Sequence, residues 1–100
     1  MNLLTIAEQK ILIFLLFVER ATVREIVKSV GGSATTVVNA LKKLRRSGLV
    51  DVEEMKEFPF RKHIVLTGYG RRVANHLLDI MLTIELASRC VHGKHSCASS

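Results

Sequence analysis

The chain has 100 residues, 48% of them hydrophobic, a formal net charge of +6 and a sequence pI of about 9.8. The length suits one domain with a single core, and the excess of cationic side chains favours a polyanionic partner. The longest apolar run, residues 11–18, is far shorter than the about 20 residues of a membrane span, and two nearby cysteines do not make a secreted disulfide framework, so we expect a cytoplasmic protein without membrane contact.

Two T-x-x-E motifs open the first two predicted helices. Thr5 with Glu8, and Thr22 with Glu25, have the spacing of a capping box, in which hydroxyl and carboxylate each accept a hydrogen bond from a backbone amide. We predict a first helix over about residues 6–19 and a short second helix that begins after Thr22.

The third predicted helix spans residues 33–46 and follows a turn that contains the glycine pair 31–32. Ser33 is its N-cap, and Thr36 occupies the N3 position, where the first two helices carry glutamate. A threonine at N3 leaves the free N–H groups and the positive end of the helix dipole available to a phosphate. Two helices joined by such a turn indicate a helix-turn-helix, whose second helix enters the major groove of DNA.

The cationic side chains are concentrated in two segments. Residues 26–50 contain five lysines and arginines and no acid, and residues 58–78 contain four and again no acid. The rest of the chain is therefore net negative. A contact with the phosphates of a nucleic acid requires this kind of sorting.

After the third helix the period of the apolar pattern changes. Segments 49–57 and 60–66 are extended and β-branched, and they predict a two-stranded hairpin with Pro59 in the connection. Thr67 then caps a long last helix over about residues 68–88. Its apolar residues follow two adjacent stripes, and we expect one stripe to pack on the domain's own core and the other on a second subunit.

The segments TVREIVKSVGGSATTVVNALKKLRRSGLVD and IVLTGYGRRV resemble the winged helix-turn-helix regulators of the MarR and ArsR type. The diagnostic motifs are S-x-x-T-V-x-x-x-L-x-x-L-x-x-x-G-L-V from Ser33 to Val50 and L-T-x-x-G-R from Leu66 to Arg71. The resemblance covers most of residues 5–88. It implies a mainly α fold with a small β-hairpin wing (α+β) and a long C-terminal dimerisation helix. It also implies that the third helix reads DNA, with the wing, residues 50–66, near the flanking groove.

The resemblance and the helix geometry assign the same face of the third helix to DNA. The residues that face away from its buried stripe are candidates for base contacts: Ala34, Thr35, Val38, Asn39 and Lys42. The candidates for phosphate contacts are Ser33, Thr36, Lys43 and Arg46, with Arg61 and Lys62 at the wing. Three acids on the opposing strand repel DNA unless they face away: Glu53, Glu54 and Glu57. The alternative for the polar residues of the helix is an ordinary solvated face.

By resemblance, the first and last helices form a homodimer. The predicted interface residues are Leu3, Leu4, Val73, Leu77, Ile80, Met81, Ile84 and Ala87. We assign residues 1–89 to one winged-helix domain and residues 90–100 to a short, flexible Cys/His tail.

The tail contains four side chains that bind transition metals: Cys90, His92, His95 and Cys97. This donor set suits tetrahedral zinc or another transition metal, although the C-x-H-x2-H-x-C spacing differs from that of a standard zinc finger. A metal site, a disulfide and a disordered tail therefore remain open alternatives. No part of the chain requires a cofactor.

The sequence predicts a homodimeric transcriptional regulator that binds a specific sequence of double-stranded DNA, with an effector that is unknown. Two alternatives use the same fold: a winged-helix module that binds protein, and an architectural protein that binds DNA without sequence preference. An enzyme is not predicted, because the chain contains no P-loop, no H-E-x-x-H motif and no glycine-flanked nucleophile.

Overall fold

A computed structural model describes residues 4–56 and 61–92 of the chain, with side chains described up to Cys90. Its elements, in chain order, are α1 (Ile6–Val18), β1 (Arg20–Ala21), α2 (Val23–Val30), α3 (Ala34–Arg46), β2 (Val50–Glu54), β3 (Lys62–Leu66) and α4 (Gly68–His92). This mainly helical arrangement with a small antiparallel sheet confirms the predicted fold class. Within the described residues, the helices are too short or too polar to cross a lipid bilayer.

Each of the first three helices begins at the hydroxyl side chain predicted to cap it. Thr5, Thr22 and Ser33 each accept a hydrogen bond from the backbone N–H three residues later. The full capping box is present at α2, where the Glu25 carboxylate also accepts from the Thr22 N–H at 3.2 Å. At α1 the box is only half formed, because the Glu8 carboxylate bonds to a partner on α3.

The capping box of α2 makes the stability of the fold depend on pH. The backbone N–H of Thr22, and after it the Thr22 hydroxyl, lower the pKa of Glu25 below its ordinary value, and the charges of His63 and Arg61 act in the same direction. Because the folded-state pKa is the lower one, this carboxylate stabilises the fold above its unfolded-state pKa. The contribution is lost as the pH falls through the folded-state pKa.

We therefore expect Glu25→Gln to lower the melting temperature at neutral pH, and we expect the difference from wild type to disappear as the pH falls through the folded-state pKa of Glu25 and the wild-type carboxyl is protonated. Thermal unfolding followed by circular dichroism measures this difference. Glu85→Gln, on an exposed part of α4, serves as the control and is expected to change neither value. A gap between wild type and Glu25→Gln that persists at acidic pH would contradict the assignment.

A short glycine turn connects α2 to α3. Gly31 and Gly32 have φ angles of 80° and 81°, in the left-handed region that residues with a Cβ rarely adopt. The Gly31 N–H donates to the carbonyl oxygen of Val27 and closes α2. Ser33 then caps α3, so the two helices are separated by the turn that the sequence predicts.

The sheet has three strands, one more than the predicted hairpin. β2 and β3 form the hairpin, and β1 pairs with the other edge of β3, so that the strand order is β1-β3-β2. Arg20 lies opposite Val65, and Ala21 lies opposite Ile64. A strand of two residues has no alternating pattern to detect, and its pairing depends on where tertiary contacts place β3. The prediction of a two-stranded hairpin is therefore incomplete.

The core lies where α1, α2 and α3 meet the sheet and the first turns of α4. Its fully buried apolar side chains include Ile11, Leu12, Leu15, Ile26, Val37, Leu44 and Ala74. α4 packs on this core through Val73 and Leu77, but every residue from 79 to 89 is exposed. The 25 residues of α4 span roughly 37 Å, so the helix extends past the core. The first turns of α4 therefore contact the core, and the distal part is exposed on all sides. The sequence predicts instead one core-facing stripe and one free stripe along the whole helix.

Candidate nucleic-acid interface

α3 has a continuous exposed ridge on the side opposite the core. Val37, Leu41 and Leu44 are buried, and the side chains on the other face of the helix are exposed. Four of these follow the spacing i, i+4, i+7 and i+11, which places them on one helix face. They are Thr35, Asn39, Lys42 and Arg46, and we refer to them as the α3 ridge.

The two cations of the α3 ridge are available to an anion. Within the described residues, neither Lys42 nor Arg46 forms an ion pair. Arg45, next to them, lies 3.9 Å from Asp51, with both side chains more than half exposed, and water weakens such a pair. A phosphate that approaches this face therefore meets two cations with which no carboxylate of the described residues forms an ion pair.

The N-terminus of α3 is open, as the sequence predicts. Ser33 Oγ accepts from the Thr36 N–H at 3.2 Å and lies 2.8 Å from the Thr36 hydroxyl. Residues 33–36 are all exposed, and the first turn contains no acid. The first backbone N–H groups of a helix have no partner within it, so those of Ala34 and Thr35 are available to a phosphate.

Val38, a predicted base contact, lies at the edge of the ridge. It is half-buried and lines an apolar groove of about 180 Å³ between α3 and the sheet, together with Val23 and Val52. Its side chain is thus turned toward the wing. Ala34, one helical turn earlier, is exposed.

Lys43 lies on the flank of α3 that faces α1, outside the ridge. Its Nζ is 3.2 Å from Oε1 of Glu8, whose side chain is only 2% exposed. The same oxygen accepts a hydrogen bond from the Thr5 hydroxyl at 3.1 Å. This predicted phosphate contact is therefore paired with a buried carboxylate, while 38% of its own side chain is exposed.

The role of Glu8 was not predicted from the sequence, although the spacing of Glu8 indicates it. Glu8 belongs to the buried stripe of α1 at positions i, i+3, i+4 and i+7, whose other members are Ile11, Leu12 and Leu15. An acid on a buried stripe needs a charged or hydrogen-bonding partner. The need for a partner was not recognised because the T-x-x-E capping motif already explains a glutamate at position 8.

The acidic residues of β2 lie beside cations. Glu53 is 3.2 Å from Arg20, and Glu54 is 3.6 Å from Lys62, a predicted wing contact. The side chains of both pairs are about half exposed or more, so water weakens these pairs and the repulsion of DNA expected from the sequence is only slightly reduced. Arg61 is exposed and has no ion pair with any residue that the structure describes. The wing tip, residues 57–60 with Glu57, lies outside the described residues.

The predicted dimer residues fall into two groups. Three are half-buried against the core: Leu4, Val73 and Leu77. Four are exposed: Ile80, Met81, Ile84 and Ala87. Leu3 lies outside the described residues. An apolar groove of about 430 Å³, lined in part by Ile6 and Met81, continues the exposed apolar surface of α4 onto α1.

The predicted metal ligands of the tail are only partly described. α4 continues past the predicted end at Ser88 to His92, so Cys90 and His92 are helical. His95 and Cys97 lie outside the described residues. In the part of the chain that the structure describes, no three His, Cys, Asp or Glu side chains are grouped to hold a metal ion. The zinc site of the tail stays a prediction.

Comparison with known families identifies the chain. Residues 4–66, which run from two residues before α1 to the end of β3, match the family of the sugar-specific transcriptional regulator TrmB. The chain belongs to the TrmB family. This is a family of transcriptional regulators and not of enzymes, which confirms that part of the prediction.

Solved structures of other proteins have the same fold as this TrmB-family chain. The apo C30AH42A mutant of ZitR from Lactococcus lactis has 21% identity and a TM-score of 0.81, over 93% of this chain and 70% of that one. The MarR family regulator SPO1453 from Silicibacter pomeroyi has 17% identity and a TM-score of 0.77, over 87% and 61%. A transcriptional regulator homologue from Pyrococcus horikoshii has 22% identity and a TM-score of 0.66, over 80% of both chains.

These similarities confirm the MarR-like winged-helix resemblance, and at such identities they show the fold alone. The chain spans from 61% to 80% of the length of the three proteins. No curated protein sequence matches it. The ArsR-like part of the resemblance stays a prediction.

Proposed function

We propose that this TrmB-family protein is a homodimer that binds a specific sequence of double-stranded DNA, with the α3 ridge in the major groove and the hairpin near the flanking groove. The α3 ridge carries the proposal, because it presents exposed polar and cationic side chains on one helix face. Membership of a family of transcriptional regulators supports it.

In this proposal the residues of α3 divide between bases and phosphates. Asn39 pairs with adenine and Lys42 reaches guanine, while the base edges beside them are contacted by Ala34, Thr35 and Val38. Phosphates are contacted by Ser33, Thr36 and Arg46, and by Arg61 and Lys62 of the wing. The open N-terminus of α3 supports the phosphate contacts, because its exposed N–H groups add to the attraction.

The distal part of α4 supports the homodimer. Every side chain from residue 79 to 89 is exposed, including Ile80 at 54% and Ile84 at 63%. Exposed apolar patches of this kind mark interaction sites. A second copy packed on this surface buries it and presents two α3 ridges to half-sites about one helical turn apart.

Selection of bound sequences from a random DNA pool tests the proposed function. We expect an enriched inverted repeat that binds at least about 10³-fold more tightly than a scrambled duplex. Equal affinity for both duplexes would identify an architectural DNA binder. Absence of any DNA binding would favour the protein-binding module.

The salt dependence of binding tests whether α3 is the contact surface. Arg46→Met is expected to reduce the slope of log affinity against log salt by about 0.9 for each copy bound, because one phosphate contact is lost. Lys10→Met removes an exposed lysine of α1 that borders the groove near Met81, and it is expected to leave the slope unchanged. The reverse result would place the DNA on another face.

A further inference from the structure

Among the described residues, Glu8 is the only charged residue that is buried. Its Oε1 has two partners, the Lys43 ammonium at 3.2 Å and the Thr5 hydroxyl at 3.1 Å. Its Oε2 is buried and has no hydrogen-bond partner among the described residues. Lys43 is therefore the cation that compensates this carboxylate.

The burial of Glu8 decides which anion Lys43 prefers. Removing the partner of a buried charge is strongly destabilising, because the remaining charge stays uncompensated in the interior. A DNA phosphate that has no lysine contact, by contrast, is still neutralised by the counterions condensed on the DNA. We therefore expect that moving the Lys43 ammonium from Glu8 to a phosphate loses more free energy at the buried carboxylate than it gains at the phosphate. The loss is larger because Oε2 of Glu8 already lacks a hydrogen-bond donor among the described residues.

The ion pair also connects two helices beside the α3 ridge. Glu8 lies in the first turn of α1, and Lys43 lies two turns into α3. The pair borders an open cleft of about 550 Å³, which Thr36 and Asn39 also line. The ion pair thus adds a polar link between α1 and α3 at the edge of the core that the two helices share.

We propose that Glu8 is a positioning residue for the DNA-reading helix. Its buried carboxylate retains the Lys43 ammonium when α3 lies on a duplex, so that Lys43 orients the α3 ridge and does not neutralise a phosphate. The inference rests on the proposed function and deepens it. It assigns different roles to Lys43 and Arg46, which the sequence predicts to be equivalent phosphate contacts. Among the described residues Lys43 is paired with Glu8 and Arg46 has no ion pair.

The first test compares the salt dependence of Lys43→Met with that of Arg46→Met on the selected DNA. We expect Arg46→Met to reduce the slope by about 0.9 per copy and Lys43→Met to leave it at the wild-type value. Lys43→Met is also expected to lower the melting temperature by about 5–10 °C, because Glu8 loses its cation. An equal loss of slope in both variants would overturn the inference.

The double variant Glu8→Gln with Lys43→Met removes both charges and keeps the test valid if Lys43→Met folds poorly. We expect it to regain at least half of the lost melting temperature and to retain the wild-type slope. Its affinity for the selected DNA is expected to stay about tenfold weaker, because the ion pair that orients α3 relative to α1 is lost. Full recovery of affinity would show a purely structural role for Glu8 and overturn the inference.

The control separates this inference from the proposed function. If Arg46→Met changes the slope and the double variant also loses about 0.9 per copy, DNA binding stands and only the role of Glu8 is wrong. If the wild-type protein does not bind DNA, both proposals are wrong.

Discussion

Replacing Gly70 with alanine is expected to lower the melting temperature by about 10–25 °C. Gly70 is buried in the first turn of α4, and a Cβ at this position would overlap the backbone carbonyl group of Leu49 and lie 3.2 Å from Cδ2 of Leu66. The carbonyl group belongs to the main chain and does not rotate away. Overpacking costs about 1–3 kcal/mol, and more where backbone must shift, which exceeds the roughly 1 kcal/mol that alanine gains over glycine in a helix.

Thr67 explains why the two backbone segments are so close. Its hydroxyl donates to the carbonyl oxygen of Gly48 at 2.6 Å and accepts from the Gly70 N–H at 3.0 Å. Its own N–H donates to the carbonyl oxygen of Leu49 at 3.1 Å. These bonds hold the start of α4 against the segment that follows α3. The threonine and the glycine of the L-T-x-x-G-R motif are therefore both required by the structure, the glycine because a Cβ does not fit there.

Gly68→Ala is the matched control for Gly70→Ala. A Cβ at Gly68 has nothing within 4 Å, so alanine there is expected to leave the melting temperature unchanged or to raise it slightly. Differential scanning calorimetry on both variants measures the contrast. Similar losses in the two variants would show that the close approach to Leu49 does not limit the site.

Replacing Ile84 with glutamate is expected to convert the proposed dimer into monomers and to weaken binding to the inverted repeat by at least about 100-fold. Ile84 is 63% exposed in the distal part of α4, on the same stripe as Ile80 and Ala87. A carboxylate buried in an apolar interface without a partner is strongly unfavourable. Each α3 ridge then binds its half-site separately, and the gain from linking two sites is lost.

Leu86→Glu is the control for the dimer prediction. Leu86 is 61% exposed, close to the value for Ile84, but two residues along a helix correspond to about 200° of rotation. Its side chain therefore lies on nearly the opposite face, and the substitution is expected to preserve the dimer. Sedimentation equilibrium gives the oligomeric state, and DNA titration gives the affinity. A dimer that survives Ile84→Glu and dissociates with Leu86→Glu would place the interface on the other face.

The sequence by itself determined the features that depend on residues within one or two helical turns. The caps at Thr5, Thr22 and Ser33, the glycine turn and the buried stripe of α3 were all predictable, because each rests on local hydrogen bonds or on the helical period. The exposed face of α3 followed from the same period, since residues opposite a buried stripe face the solvent. The charge sorting needed only the order of the residues.

Only the tertiary structure decided how distant segments meet. β1 exists because β3 lies beside it, and α4 contacts the core through its first turns and is exposed from residue 79 to residue 89. The ion pairs also depend on how the helices pack. Lys43 of α3 pairs with Glu8 of α1, while Arg46, three residues later, is exposed to solvent. A lysine and an arginine in one basic run look equivalent in sequence, and they differ here because the buried face of a neighbouring helix contributes a carboxylate to one of them.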